Sequence, residues 1–189
     1  MVVSLPSSQL FQIRKKMKVP VELIYSENIP EWNEWYNKNY WMHYPIDLSS
    51  NNFEGLNLSG IKLWGAVLNN TVLSKAKLVN ADLRCSTARK VICVGTTFDL
   101  ADLAVSEFRQ AKIVGCSFFK ANLSNANLEK ADLQESSFAY SNMYQINLRN
   151  TRIKKASFEG ANLCSANLQG VEIKNGDFTN ARMNWFVKN

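Results

Sequence analysis

Residues 121–140 read ANLSN ANLEK ADLQE SSFAY. Each group of five carries a small residue in first place and a large apolar residue in third. Working outward from this stretch, an apolar third place recurs at every fifth residue from Leu58 to Met183, 26 times without insertion. Thirteen of these central residues are Leu, six Phe, three Ile and two Met, with Ala88 and Cys93 completing the set. The first places run from Leu56 to Ala181, and twelve of the 26 are Ala. The same span holds 26 charged residues, and none falls on a central or small position. Those two positions therefore face inward and the other three face water.

A period of five is neither that of a helix, with apolar residues at i, i+3, i+4 and i+7, nor the alternation of a strand. It fits a coil with short straight sides and a turn at each corner. The residue two after each centre is Gly six times and Asn six times out of 26, the two types that tolerate the positive φ of many turns. Four groups per coil would stack every twentieth residue. One such column reads Leu58, Leu78, Phe98, Phe118, Phe138, Phe158, Phe178 and so gathers five of the six central Phe residues. The sixth, Phe108, follows the small Ala88 in its own column, so neighbouring layers compensate in volume. Within residues 84–97, RCSTARKVICVGTT, the centres shrink to Ala88 and Cys93, which predicts a bulge or a looser coil there.

The A(D/N)Lxx tandem resembles the pentapeptide-repeat proteins over residues 53–183. The resemblance implies an all-β fold, a right-handed quadrilateral β-helix with a narrow, filled interior. Six and a half coils at the usual strand spacing of ~4.8 Å make a rod of about 30 Å. The expected division is an N-terminal extension and helical cap over residues 1–50, then the β-helix with a short C-terminal cap over residues 51–189. Ile29 to Trp41 has Pro30 near a helix start and Glu31 and Glu34 early, with Trp32, Trp35, Tyr36 and Tyr40 on one face. It predicts a short helix laid over the first coil, because a solenoid exposes a raw edge that must be covered. This stretch, followed by IDLSSNNFEGLNLSG, resembles the lead-in of many cyanobacterial members.

The chain has 189 residues and a formal net charge of +6, with 22 Lys plus Arg against 16 Asp plus Glu. Sorted by side of the square, the excess lies on two adjoining sides, which carry eleven basic and five acidic residues. The candidate basic face comprises Arg89, Lys90, Arg109, Lys112, Arg149, Arg152, Lys154, Lys155 and Lys174. The other two sides balance at five and five and carry the aromatic residues Trp64, Phe119, Tyr140, Tyr144 and Trp185, the candidate protein interface. Met183, Trp185 and Phe186 end the chain's last coil and form a candidate dimer contact, because in gyrase-protecting relatives that coil makes a twofold interface. A basic segment with Arg14, Lys15, Lys16 and Lys18 reads as a frayed terminus rather than a membrane anchor.

No catalytic constellation is legible. There is a single histidine, His43, and the cysteines Cys85, Cys93, Cys116 and Cys164 fit no zinc spacing. No phosphate-binding glycine loop occurs. The expected function is a non-catalytic protein-interaction rod, bacterial and cytoplasmic, without cofactor, whose partner is an unidentified protein and which can dimerise through its C-terminal coil. The first alternative, implied by the resemblance, is topoisomerase (DNA gyrase) protection by DNA mimicry. The +6 charge opposes it, because an imitator of DNA needs negative charge along its length. The second alternative is weak binding of an anionic polymer or membrane by the basic sides. It is disfavoured because aromatic platforms and basic groove lie on different sides, unlike those of single-strand binders.

Overall fold

The computed structural model describes residues 19–39 and 45–184. From Asp47 onward the chain pairs with itself at an offset of twenty residues, always in parallel: Asp47 with Val67, Asn52 with Val72, Asn57 with Lys77 and Lys62 with Asp82. Four contacts per twenty residues make a four-sided coil, and the pairing continues to Asn162 with Arg182. Each side is tied by two bonds: the residue before a centre donates to the small-position carbonyl one coil back and accepts from the previous centre. Asp82 N–H thus donates to the Ile61 carbonyl at 2.9 Å and accepts from Leu63 N–H at 2.7 Å. The sides are so short that, among the described residues, only Ile92–Val94 (β1) and Lys112–Val114 (β2) extend to strands, paired Cys93 on Ile113.

The motif's Asp or Asn acts within its own turn. Asp102 Oδ1 accepts Ala104 N–H at 3.0 Å and Asn127 Oδ1 accepts Glu129 N–H at 3.1 Å, the side-chain turn that these residues favour. The corner two residues after each centre from Leu48 to Leu168 is left-handed, as in Gly60 at φ +72° and Asn80 at +56°, and even Leu100 and Val105 are held there at +60° and +61°.

Every centre from Leu48 to Leu163 is buried. In the phenylalanine column the rings of 98, 118, 138, 158 and 178 stack at 4.7–5.2 Å with planes within 6–12°. The bulge expected in residues 84–97 is absent. Ala88 and Cys93 are wholly buried, Thr87 pairs with Glu107, and the segment contains β1. Small centres here do not loosen the coil, because the backbone rungs set its spacing and Phe108 fills the layer next to Ala88.

The departure falls where the sequence keeps its register. At Gly170–Gly176 the chain swings out into a 3-10 turn, Ile173–Asn175, and Lys155 N–H bonds Asn175 rather than the in-register Lys174. Pairing resumes at Asp177 with Ser157.

Among the described residues two helices precede the coil: α1, Val21–Tyr25, not anticipated from the sequence, and α2, Ile29–Asn39, within the expected helix. Trp32 is wholly buried on α2, with Trp35 and Tyr36 rings 5.4 and 5.9 Å away. Its Nε1–H donates to the Lys62 carbonyl at 2.9 Å, while Asn33 Oδ1 accepts Lys62 N–H at 2.8 Å. These are the two Lys62 groups that a preceding coil would engage. Asn33 also donates to the Gly60 carbonyl at 2.9 Å, and Tyr36 O–H donates to that of Trp64. Tyr40, His43 and the basic segment around Arg14–Lys18 lie outside the described residues.

Candidate protein-interaction surface

The most exposed large apolar side chains stand at corners. A corner residue projects away from the coil, so a large apolar side chain there has no inward neighbour. Leu100, Val105 and Tyr140 occupy such corners and are 50%, 55% and 53% exposed, beside Phe119 at 40%. Leu100, Lys120 and Tyr140 share one corner at twenty-residue steps. Phe119 meets Tyr140 edge to face at 6.0 Å, and Lys120 Nζ sits 5.1 Å from the Phe119 centroid, within cation–π reach. Tyr140 is laid along the next corner: a Cβ added at Gly160 would stand 2.7 Å from its ring. Its hydroxyl donates to Glu159 Oε1 at 2.8 Å, and this bond to a carboxylate raises the phenol's pKa.

Of the five aromatic residues singled out in the sequence, the structure joins Phe119 and Tyr140. Tyr144 is exposed four residues further along the same coil, on the adjoining side. Trp64 is half-buried in the first coil, beneath α2, and Trp185 lies outside the described residues, as does Phe186. Leu100 and Val105 were missed, though an aliphatic residue at a corner was a readable signal. Met183 is half-buried.

Four of the nine basic-face residues are ion-paired. Arg109 pairs with Glu129 at 2.8 Å, Arg152 with Asp132 at 3.5 Å, Lys155 with Glu135 at 3.4 Å and Arg89 with Glu107 at 4.0 Å. Among the described residues, Lys90, Lys112, Arg149, Lys154 and Lys174 make no ion pair. Such exposed pairs add little stability, so their effect is to flatten the surface potential. A neighbouring side carries an amide ladder instead: Asn162 donates to Asn142, Asn142 to Asn122, and Asn122 to Asp102 at 3.0–3.2 Å.

Among the described residues no three His, Cys, Asp or Glu side chains gather to hold a metal. Burial pushes the Cys116 thiol up to about 11 and the Cys93 thiol well above its ordinary value, and Cys116 donates to the Cys93 carbonyl at 2.7 Å. Both are neutral thiols at physiological pH. Beside α2, an open cleft of about 330 Å³ is lined by Tyr36, Asn37, Lys62, Trp64, Asp82 and Arg84. There Arg84 is held charged by two bonds to Asp82, at 2.7 and 2.8 Å.

Among solved structures the chain resembles QnrB1, a plasmid-mediated fluoroquinolone resistance protein, at 16% identity, covering 76% of this chain and 93% of that one with a TM-score of 0.33. It resembles HetL, a pentapeptide repeat protein involved in heterocyst differentiation regulation in the cyanobacterium Nostoc, at 17% identity, 77% and 92% coverage and a TM-score of 0.29. A pentapeptide repeat protein of the Arabidopsis thaliana thylakoid lumen matches at 22% identity, 60% and 65% coverage and a TM-score of 0.38. No curated protein matches the chain in sequence. Family models described as pentapeptide repeats (8 copies) and pentapeptide repeat region match residues 47–87 and 111–185. These spans hold most of the A(D/N)Lxx groups, and the chain belongs to the pentapeptide-repeat family.

Proposed function

We propose that this protein is a non-catalytic interaction rod that binds a partner protein through the corner carrying Leu100, Phe119 and Tyr140. The observation that carries this reading is the exposure of these residues in mid-rod, with two rings in edge-to-face contact. Large apolar side chains grouped on an otherwise polar surface mark a contact site. In this reading α2 caps the rod at its N-terminal edge, and the half-exposed last coil, with Met183, serves contact between two copies. This reading places the protein in the cytoplasm. No helix among the described residues is long and apolar enough to cross a membrane.

Gyrase protection by DNA mimicry remains opposed by the +6 charge. Binding of anionic polymers by the basic sides is weakened by the ion pairs that occupy Arg89, Arg109, Arg152 and Lys155. The test is affinity capture from lysate of the source organism, washed at high salt, with the wild type and a Leu100→Asn, Phe119→Ser, Tyr140→Asn variant. Asn suits the left-handed corner, so the variant keeps its β spectrum. A captured protein should be lost from the variant; equal capture by both would refute the surface.

A further inference from the structure

The swing of the chain at Gly170–Gly176 leaves one rung of the ladder unmade. Everywhere below it on that side, two bonds join successive coils; Leu133 N–H donates to Arg152 at 2.8 Å and Arg152 N–H to Ala131 at 3.1 Å. One coil higher, the Ile153 N–H and the Thr151 carbonyl have no hydrogen-bond partner among the described residues. Over them lies an open cleft of about 330 Å³ lined by Gln134, Arg152, Ile153, Lys154 and the displaced Glu172 and Asn175. Unpaired donors and acceptors on a sheet edge are a template for another extended segment.

The coil specifies what would fit. In this column Asp132 lies 3.5 Å below Arg152, and the matching place above Arg152 is vacant because Glu172 turns away to accept Asn175 Nδ2 at 2.7 Å. Ile173 is exposed and does not stack on Ile153, which Gly176 covers instead. Lys154 and Lys174 stand nearby without ion-pair partners among the described residues. We propose that this gap docks an extended peptide segment of a partner protein with an aliphatic residue followed by an acidic one, added as a parallel strand. The acidic residue's backbone N–H would donate to the Thr151 carbonyl and its carbonyl accept from Ile153 N–H. Its carboxylate would sit on Arg152. This site is separate from the corner at Tyr140, so either can fail alone.

The probe is fluorescein-labelled GVEIKNG, which carries the pattern and repeats residues 170–176, titrated by anisotropy into the full chain. Binding should weaken about fivefold when the probe's Glu nitrogen is methylated, the effect of losing one net hydrogen bond. It should weaken similarly when that Glu becomes Lys, and Arg152→Glu should reverse the preference between the Glu and Lys probes. Hydrogen exchange at the Ile153 amide should be fast in the free protein, unlike that of Leu133, and slow with probe. No binding at millimolar probe, or equal binding of the methylated probe, would overturn the proposal. So would an Ile153 amide already as slow as Leu133, which would mean that residues 171–173 close the rung themselves.

Discussion

Truncation of Phe138 to Ala tests the stacked interior most directly. The ring is wholly buried and lies between Phe118 at 4.8 Å and Phe158 at 5.2 Å. Removing a buried Phe side chain costs about 3–5 kcal/mol through lost transfer energy and the cavity left behind. The rungs above and below hold the coils at their spacing, so the cavity cannot collapse and the cost lies at the upper end. Loss of two ring contacts acts in the same direction, and about 5 kcal/mol is expected. Phe178 is half-buried and has a single stacked neighbour, Phe158 at 4.7 Å, so Phe178→Ala should cost about 2 kcal/mol. Guanidinium unfolding followed by far-ultraviolet circular dichroism measures both. Equal losses for the two variants, or less than about 2 kcal/mol for Phe138→Ala, would refute a rigidly spaced interior.

Val105 is a branched residue at φ +61°, so Val105→Asn should raise stability by about 1 kcal/mol in the same assay. Asn33→Ala leaves the Lys62 N–H without its acceptor and should cost about 1–3 kcal/mol; an unchanged midpoint would show that water replaces it. Native protein at pH 8 should react with a thiol reagent at exposed Cys85 and half-buried Cys164, while Cys93 and Cys116 react only on unfolding. The raised Cys116 pKa favours the neutral thiol in the folded state. Its contribution to stability is therefore present below the ordinary thiol pKa and declines as pH rises toward about 11, which unfolding midpoints across that range will show.

The period of five was legible because burial leaves a one-dimensional trace. Charge is excluded wherever a side chain points into an interior too narrow for water, so Leu, Phe and Ala mark the inward positions residue by residue. The corners were legible for the same kind of reason, since a left-handed backbone selects Gly and Asn. Local sequence therefore determined the four-sided coil and the phenylalanine column. It misled at residues 84–97, where small centres suggested looseness, because coil spacing is set by backbone bonds to residues twenty away. It misled again at Val171–Asn175, whose pattern is regular while the chain swings out. Only the tertiary structure decided that the corner residues Leu100 and Tyr140 stand exposed with Phe119, that ion pairs between coils occupy four residues of the basic face, and that one rung over Ile153 stays open. Each depends on residues brought together by stacking, at separations where the sequence carries no periodic constraint on exposed side chains.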